Sequence, residues 1–257
     1  MARRLLLVAV SLVLSSLVAI PATGARVMPQ LPNLVPLPPL SVGVGPTDDR
    51  DGSALRFATA VANRGTQALD LVGAPLGPEE AVALQCVVWG GPRACAQRSQ
   101  VGRFVWHPAH GHFHFEDFAL YELRRLTPDR RPDMGAHGVV ATGGKISFCL
   151  IDVEQDRAPD NPVYSLPHPL YYSCLAGSSS QGISPGWRDV YSSSLEGQQI
   201  PIDGVAHGIY ALVVTADPDN RLFESNDMDN VAAIRIKFTK DGVETLCWYD
   251  IALKICD

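Results

Sequence analysis

The 257-residue chain is poor in lysine and has no run of basic residues. Its lysines are Lys145, Lys237, Lys240 and Lys254, and the formal net charge is −6 at pH 7. Proteins that bind nucleic acid neutralise its phosphates with clustered Lys and Arg, so this composition argues against a nucleic-acid partner. A net acidic chain attracts cationic small molecules or basic protein segments instead.

Long apolar runs are also scarce, and the clearest one lies at the N-terminus. Arg3 and Arg4 precede the apolar run Leu5–Ile20, and the small residues 22–24 follow it. This order is typical of a secretory signal peptide, and the run is short for a membrane span. We therefore expect residues 1–25 to be removed and the mature chain to be secreted, with no membrane span. Loss of the two arginines takes the charge from −6 to −8.

The sequence has no CxxC motif, so its six cysteines do not indicate a redox or zinc site of that type. In an exported chain they point to three disulfides instead. The sequence alone selects no pairing. The simplest hypothesis is local pairing, which gives Cys86 with Cys95, Cys149 with Cys174, and Cys247 with Cys256.

No stretch keeps a helical hydrophobic period, whereas runs with strand-like alternation recur. In Leu55–Asn63 the residues at 55, 57, 59 and 61 share one side. The other runs are Leu69–Val72, Gln85–Trp89, Phe113–Leu123, Lys145–Ile151, Ile209–Thr215, Val231–Thr239 and Thr245–Leu253. This pattern predicts a mainly β, β-sandwich-like single domain with long irregular loops and few short helices.

Three segments depart from that pattern. Residues 26–50 are proline-rich and predict an extended lead-in, PPII-like or an edge segment, before a main domain at residues 51–257. Pro78–Leu84 predicts one short helix, because proline stands first and two glutamates follow. Asp152–Glu196 shows no convincing element, and an irregular stretch of that length is usually functional or disordered.

The strongest functional pattern is Trp106–His114, which holds four of the seven histidines. His110, His112 and His114 are spaced i, i+2 and i+4, which on a strand places three imidazoles on one face. Such a cluster suits copper or zinc, and spacing does not choose between them. His107 is either a fourth ligand or an outer partner. Glu116, on the same face, is a candidate acceptor for an imidazole N–H.

Two weaker patterns are ambiguous on residue type alone. Lys145, after two glycines, reads as an ordinary surface lysine, and Tyr191 is equally unremarkable. The acidic segment Glu224–Asn230 offers oxygen ligands that suit a hard cation such as calcium, although a solvated turn explains it as well.

Six segments, in order, resemble the catalytic domain of the lysyl oxidases, which are copper amine oxidases of the extracellular space. The segment WHPAHGHFHF is similar to the family's copper motif WHSCHQHYH, GGKISFCLID to HKASFCLED, and QGISPGWRDVY to QGLSPGCYDTY. The remaining matches are Asn33–Pro36 with DLVP, Leu55–Thr66 with LRF…NQGT, and FESNDMDNV with PESDYTNNV.

The resemblance implies a function and a cofactor. Copper would bind His110, His112 and His114, and Lys145 and Tyr191 would be joined as lysine tyrosylquinone. The implied activity is oxidation of primary amines, peptidyl lysine or smaller amines, by molecular oxygen to aldehydes, with release of hydrogen peroxide and ammonia. Asp189, two residues before Tyr191, is our candidate general base, expected to have a raised pKa. The family also supports the Cys149–Cys174 pairing.

A calcium site is implied as well, with Asn33, Leu34, Glu224, Asn226, Asp229 and Asn230 as its residues. Asn replaces the family's Asp at positions 33 and 226, and Asp229 restores one charge. One residue is also missing between His114 and Phe118 relative to the family motif.

Two other classes of function compete with the oxidase. The alternative is a non-catalytic secreted copper- or zinc-binding β-sandwich module, which would need neither Lys145 nor Tyr191. An adhesion or structural module would need only the strands and not the histidines. The sequence does not specify an oligomeric state.

Overall fold

The computed structural model describes residues 29–49, 51–89, 95–159, 161, 165–174 and 180–249. The expected signal peptide and Cys256 lie outside these ranges. Within them, no helix has the length and apolar character needed to cross a membrane.

The described residues form sixteen strands and one short 3-10 helix, Ala136–Gly138. The strands are β1 (Pro29–Gln30), β2 (Leu34–Pro36), β3 (Leu40–Pro46), β4 (Ser53–Asn63), β5 (Leu69–Pro75), β6 (Glu80–Trp89), β7 (Cys95–His107), β8 (His112–Arg124), β9 (Val139–Phe148), β10 (Glu154–Gln155), β11 (Ser180–Ile183), β12 (Trp187–Tyr191), β13 (Gln199–Pro201), β14 (Gly208–Ala216), β15 (Val231–Thr239) and β16 (Gly242–Tyr249).

The strands make two antiparallel sheets. The larger has the order β11-β5-β6-β7-β8-β14-β15-β16, with β1 paired to β6 and β9 paired to β8. The smaller has the order β10-β12-β4-β13, with β2 and β3 also paired to β4. The prediction of a mainly β, sandwich-like domain is therefore confirmed.

The two sheets meet at an aromatic pair in the core. Phe57 of β4 packs edge-on against Tyr121 of β8, with ring centroids 5.0 Å apart. The Tyr121 hydroxyl is fully buried, and it lies 3.0 Å from the Thr59 hydroxyl and 2.9 Å from the Gln198 side-chain nitrogen. These bonds satisfy the one polar atom that the ring carries into the core.

The helix expected at Pro78–Leu84 is wrong. The chain bends there, and β6 begins at Glu80, with Val82 paired to Ala74 and to Arg103. Pairing on both sides of β6 outweighs the local preference for a helix start, because helix propensity is weak beside tertiary packing.

The stretch Asp152–Glu196 contains three short strands, β10 to β12, where none was expected. The buried Asp152 carboxylate holds this stretch together. It accepts hydrogen bonds from the backbone and hydroxyl of Ser184 and from the backbone N–H groups of Leu170 and Tyr171. The irregular segment is thus fixed against β11 by one carboxylate.

Two of the three local disulfides are confirmed. Cys86 pairs with Cys95 at a Cα separation of 5.3 Å, and Cys149 pairs with Cys174 at 6.0 Å. Cys247 is also disulfide-bonded. Its expected partner lies outside the described residues, so that third pairing stays a prediction.

Candidate metal centre and tyrosine site

The histidine cluster is built on the β7–β8 hairpin. His107 at the end of β7 pairs with His112 at the start of β8, and residues 108–111 form the turn. The backbone N–H groups of His110 and Gly111 both donate to the His107 carbonyl, at 3.1 and 2.9 Å. Gly111 has φ +68°, a conformation that glycine adopts without strain.

His110 therefore lies in the turn and not on the strand. The expectation that all three imidazoles alternate along one strand is wrong for this residue. The proline and glycine around it end β7 and reverse the chain. His110 still reaches the cluster, because the turn folds back over the face on which His112 and His114 lie.

The three imidazole rings form a cluster, with ring centroids 4.9–5.5 Å apart. His114 Nε2 lies 3.2 Å from His110 Nδ1 and 3.1 Å from His112 Nε2. Nitrogen ligands at about 2.0 Å from a copper or zinc ion would be roughly 2.8–3.3 Å from one another. The nitrogen spacing thus fits a first-row metal ion.

His107 joins this cluster as a fourth imidazole. Its ring stacks on His114 with centroids 4.7 Å apart and lies 4.2 Å from the ring of His110. Its Nδ1 is buried and has no hydrogen-bond partner in the described part of the chain. One ring nitrogen each from His107, His110 and His114 lies within 4.8 Å of the other two. His107 is therefore placed to act as a ligand or to pack behind one.

The surroundings favour the neutral form of His112 and His114, which metal ligation requires. Burial, followed by the neighbouring His107, lowers the pKa of His114 to about 3. Burial also lowers the pKa of His112, with His110 adding to the effect. The His114 ring bonds the Ser147 backbone, so Ser147 takes the orienting position expected for Glu116.

Tyr191 lies beside this centre. Its hydroxyl is 2.6 Å from the Cys149 carbonyl and 2.7 Å from Asp189 Oδ2, and its ring lies 3.9 Å from that of Phe148. The Cys149 and Cys174 sulfurs and a nitrogen of His112 all lie within 4.8 Å of one another. Cys149 thus connects the tyrosine hydroxyl to the imidazole cluster.

Asp189 is 1% exposed and stands on β12 opposite Val61 of β4. Burial raises its pKa well above the usual range, against opposing hydrogen bonds from Tyr191 and from backbone groups. Burial also raises the pKa of the Tyr191 hydroxyl. Burial therefore favours the protonated form of both groups.

Lys145 lies apart from Tyr191. Its ammonium is 2.7 Å from both carboxylate oxygens of Asp219, and the described residues show no hydrogen bond between Lys145 and Tyr191. Side chains alternate along β9, so Lys145 leaves the strand on the face opposite Phe148. The structure thus brings Tyr191 to the histidines but leaves Lys145 on the other side of the strand.

Five of the six expected calcium residues are also brought together. Glu224 accepts from the Leu34 backbone at 2.5 Å and from the Asn230 amide at 2.8 Å, and the Asn33 amide donates to Asp229 at 3.0 Å. The Oδ1 atoms of Asn33, Asp229 and Asn230 are buried with no hydrogen-bond partner among the described residues.

Two features of this calcium group bear on cation binding. Burial raises the pKa of Glu224 to about 8, so its charge is poorly compensated without a cation. Asn226 differs from the others, since its side-chain oxygen accepts from the Met228 backbone at 3.2 Å. The unpaired oxygens fit a hard cation.

Some residues near the site were not singled out from the sequence as site residues. Ser147 and Asp117 contact each other, since the Asp117 backbone N–H donates to the Ser147 hydroxyl. Ser147 is two residues from Lys145 on β9, so strand alternation is the pattern that could have identified Ser147. Asp219 is 74 residues from Lys145, and no local pattern links them.

The fold and site define a class of protein: an antiparallel β-sandwich with an imidazole metal centre next to a buried tyrosine–carboxylate pair. The family model for lysyl oxidase matches residues 90–247, more than half of the chain. The chain belongs to the lysyl oxidase family.

Curated relatives agree with this assignment. The protein-lysine 6-oxidase of Gallus gallus is 33% identical over 135 residues, 52% of this chain and 28% of the relative. The protein of that name from Sus scrofa is also 33% identical, over 52% of this chain and 47% of the relative. Lysyl oxidase homolog 3B of Danio rerio is 34% identical over 60% of this chain and 16% of its own length. The matched segment thus spans less than half of each of these relatives.

Proposed function

We propose that this chain is a copper-dependent amine oxidase that converts primary amines, either peptidyl lysine or small amines, to aldehydes. Molecular oxygen would be the oxidant, and hydrogen peroxide and ammonia would be released. The observation that carries the proposal is the position of Tyr191, whose hydroxyl bonds Cys149 beside the imidazole cluster and Asp189 on its other side.

The residues that would hold copper are His110, His112 and His114, with His107 behind them. Their nitrogens are correctly spaced, and lowered pKa values keep His112 and His114 neutral. When present, copper and a quinone formed from Lys145 and Tyr191 supply electron transfer and an electrophilic carbonyl, which no ordinary side chain offers.

Asp189 is the proposed general base. Its Oδ2 lies 2.7 Å from the Tyr191 hydroxyl oxygen, and burial raises its pKa well above the usual range, which favours uptake of a proton. Phe148 covers the Tyr191 ring, so water is kept from that side of the site. These contacts orient the ring and give its proton a fixed acceptor.

Calcium would be held by Glu224, Asp229, Asn230 and Asn33, with Leu34 and Asn226 at the edge of the group. Three unpaired buried oxygens support this proposal. The site lies between β2 and the segment before β15, so its role would be structural. Secretion is the corresponding proposal for localisation, and the disulfides support it.

One experiment separates the oxidase from a non-catalytic metal-binding module. The mature chain is incubated with copper and air, treated with phenylhydrazine and digested. We expect a coloured adduct on a peptide that joins Lys145 to Tyr191. Lys145→Arg and Tyr191→Phe are the matched controls, since each keeps the size of its side chain and should retain copper while yielding no adduct.

A second outcome would contradict the oxidase proposal. Copper bound in stoichiometric amount, with two separate and unmodified peptides, would favour the metal-binding module. If the adduct forms, peroxide release with a panel of amines and lysine-containing proteins then defines the substrate.

A further inference from the structure

Lys145 is held by a set of four charged groups. Its ammonium lies 2.7 Å from Asp219 Oδ2 and 3.9 Å from Asp117 Oδ2. Arg221 bridges the same two carboxylates, at 3.1 Å to Asp219 and 3.2 Å to Asp117. The two positive and two negative charges of this group balance.

The loop that presents Asp219 is fixed by its own backbone bonds. The Asp217 carboxylate accepts from the backbone of Arg221 at 3.0 Å and of Leu222 at 2.8 Å. The Asp217 N–H donates to the Phe118 carbonyl of β8 at 2.8 Å. Because these bonds tie the loop to β8, Asp219 is positioned independently of Lys145.

Unusual backbone conformations surround the lysine. Asp117 has φ +59° and lies where β8 bulges against β9, between Phe115 and Ala119. Asp217 and Asn220, in the facing loop, have φ +41° and +50°. Such values are uncommon for residues other than glycine, and they persist where the surrounding structure enforces them. The carboxylates of Asp117 and Asp219 are therefore positioned by backbone segments in uncommon conformations.

The lysine is also on the wrong side of its strand for crosslinking. Phe148, which contacts the Tyr191 ring, points into the core, whereas Lys145 is partly exposed and points the other way. Lys145 must therefore leave Asp219 and pass to the other face of β9 before it can meet Tyr191.

We propose that Asp219, supported by Asp117 and Arg221, is a positioning residue that holds Lys145 in a resting position away from Tyr191. The fraction of Lys145 that is released from this ion pair then sets how fast the crosslink forms. The effect on crosslinking rests on the proposed function, whereas the ion pair between Asp219 and Lys145 does not depend on copper.

The expected effect is modest, because the side chains of Lys145 and Asp219 are 39% and 36% exposed. Ion pairs at such exposure hold weakly. Their loss should raise the population of released lysine about twofold to fivefold. Asp219→Asn should therefore speed crosslinking by that factor.

The test uses Asp219→Asn in the full chain, with Asp219→Glu as the conservative variant. The matched control is Asp241→Asn, which removes the partner of Lys240 from a surface pair 3.5 Å long. Trace acetylation of the copper-free proteins, read by mass spectrometry, compares Lys145 with Lys240 in each protein. Copper is then added in air, so that molecular oxygen is the oxidant, and the Lys145–Tyr191 crosslinked peptide is followed over time.

We expect Asp219→Asn to raise both Lys145 acetylation and the crosslinking rate, Asp219→Glu to stay near wild type, and Asp241→Asn to affect Lys240 only. Unchanged acetylation of Lys145, or crosslinking that is unchanged or slower in Asp219→Asn, would overturn the proposal. If the wild-type chain forms no crosslink, the proposed function fails, whereas the acetylation result still decides whether Asp219 holds Lys145.

Discussion

Tyr191 donates its hydroxyl hydrogen toward the Cys149 carbonyl at 2.6 Å, so a tyrosine on the smaller sheet is tied to the residue after β9 on the larger one. The side chain of the same cysteine forms the disulfide with Cys174. The backbone of Cys149 thus contacts Tyr191, and its side chain is joined to Cys174.

Removal of this disulfide should weaken both the fold and the site. For Cys149→Ala/Cys174→Ala we expect a loss of about 2–4 kcal/mol of unfolding free energy, measured by denaturant titration. Copper affinity should fall as well, because the sulfurs lie next to His112. Cys86→Ala/Cys95→Ala is the control, and equal copper loss in both variants would contradict this link.

Single histidine substitutions should remove the metal without unfolding the chain. His112→Ala and His114→Ala should each lower copper affinity by at least about 100-fold, since even outer-shell changes cost 10- to 100-fold. Competition with a chelator measures the affinity. His137→Ala, at an exposed position away from the hairpin, is the control and should bind copper normally. Retention of copper by His114→Ala would rule out the proposed ligand set.

Glu224 should make the chelator-treated protein less stable as pH rises. Its pKa is raised by burial from 4.5 to about 8, so between these values the folded chain holds a proton that the unfolded chain has lost. The folded state binds more protons, and stability therefore falls through this window, by up to a few kcal/mol. Melting temperatures across this pH range test the trend.

Two controls assign that trend to Glu224. Glu224→Gln should flatten it, and Glu244→Gln, at an exposed position on β16, should leave it intact. Calcium, by replacing the proton, should restore stability at the alkaline end. A flat wild-type profile would contradict both the raised pKa and the cation group.

Gly182 should tolerate no larger side chain. A Cβ at this position would collide with the Leu69 carbonyl and lie 2.9 Å from the Tyr171 ring. Gly182→Ala should therefore destabilise the fold by about 1–3 kcal/mol or more, as overpacking does. Gly77→Ala, where nothing lies within 4 Å, should be nearly neutral in the same thermal assay. Similar losses in both variants would show that packing is not the cause.

The sequence predicted the fold class because most strands alternate cleanly, as Leu55–Asn63 does. It missed β7, since Cys95–His107 is rich in Arg, Gln and Ser, and only pairing with β6 and β8 makes it a strand. It also missed β12, which stands between turn residues in a stretch held by Asp152. The contacts that stabilise β7 come from the strands on either side of it, and those that stabilise β12 come from the distant β4; neither strand shows a local alternating pattern.

The site was predictable to a similar extent. The imidazole rings of His110, His112 and His114 lie within 5.5 Å of one another, through a hairpin turn rather than along one strand, and their role as copper ligands stays a prediction. The contact of Tyr191 with Asp189 follows from their i, i+2 spacing on β12. The pairing of Lys145 with Asp219 could not be read from the sequence, because it depends on how a distant loop docks on the β8 bulge.

The hairpin that carries the imidazoles has a consequence for the order of assembly. Residues 107–114 are consecutive, so a bound ion would close only a very short loop and would connect no distant parts of the chain. The core cluster shared by the two sheets is apolar and contains none of these histidines. We therefore expect the chain to fold without a bound ion and to accept the proposed copper afterwards.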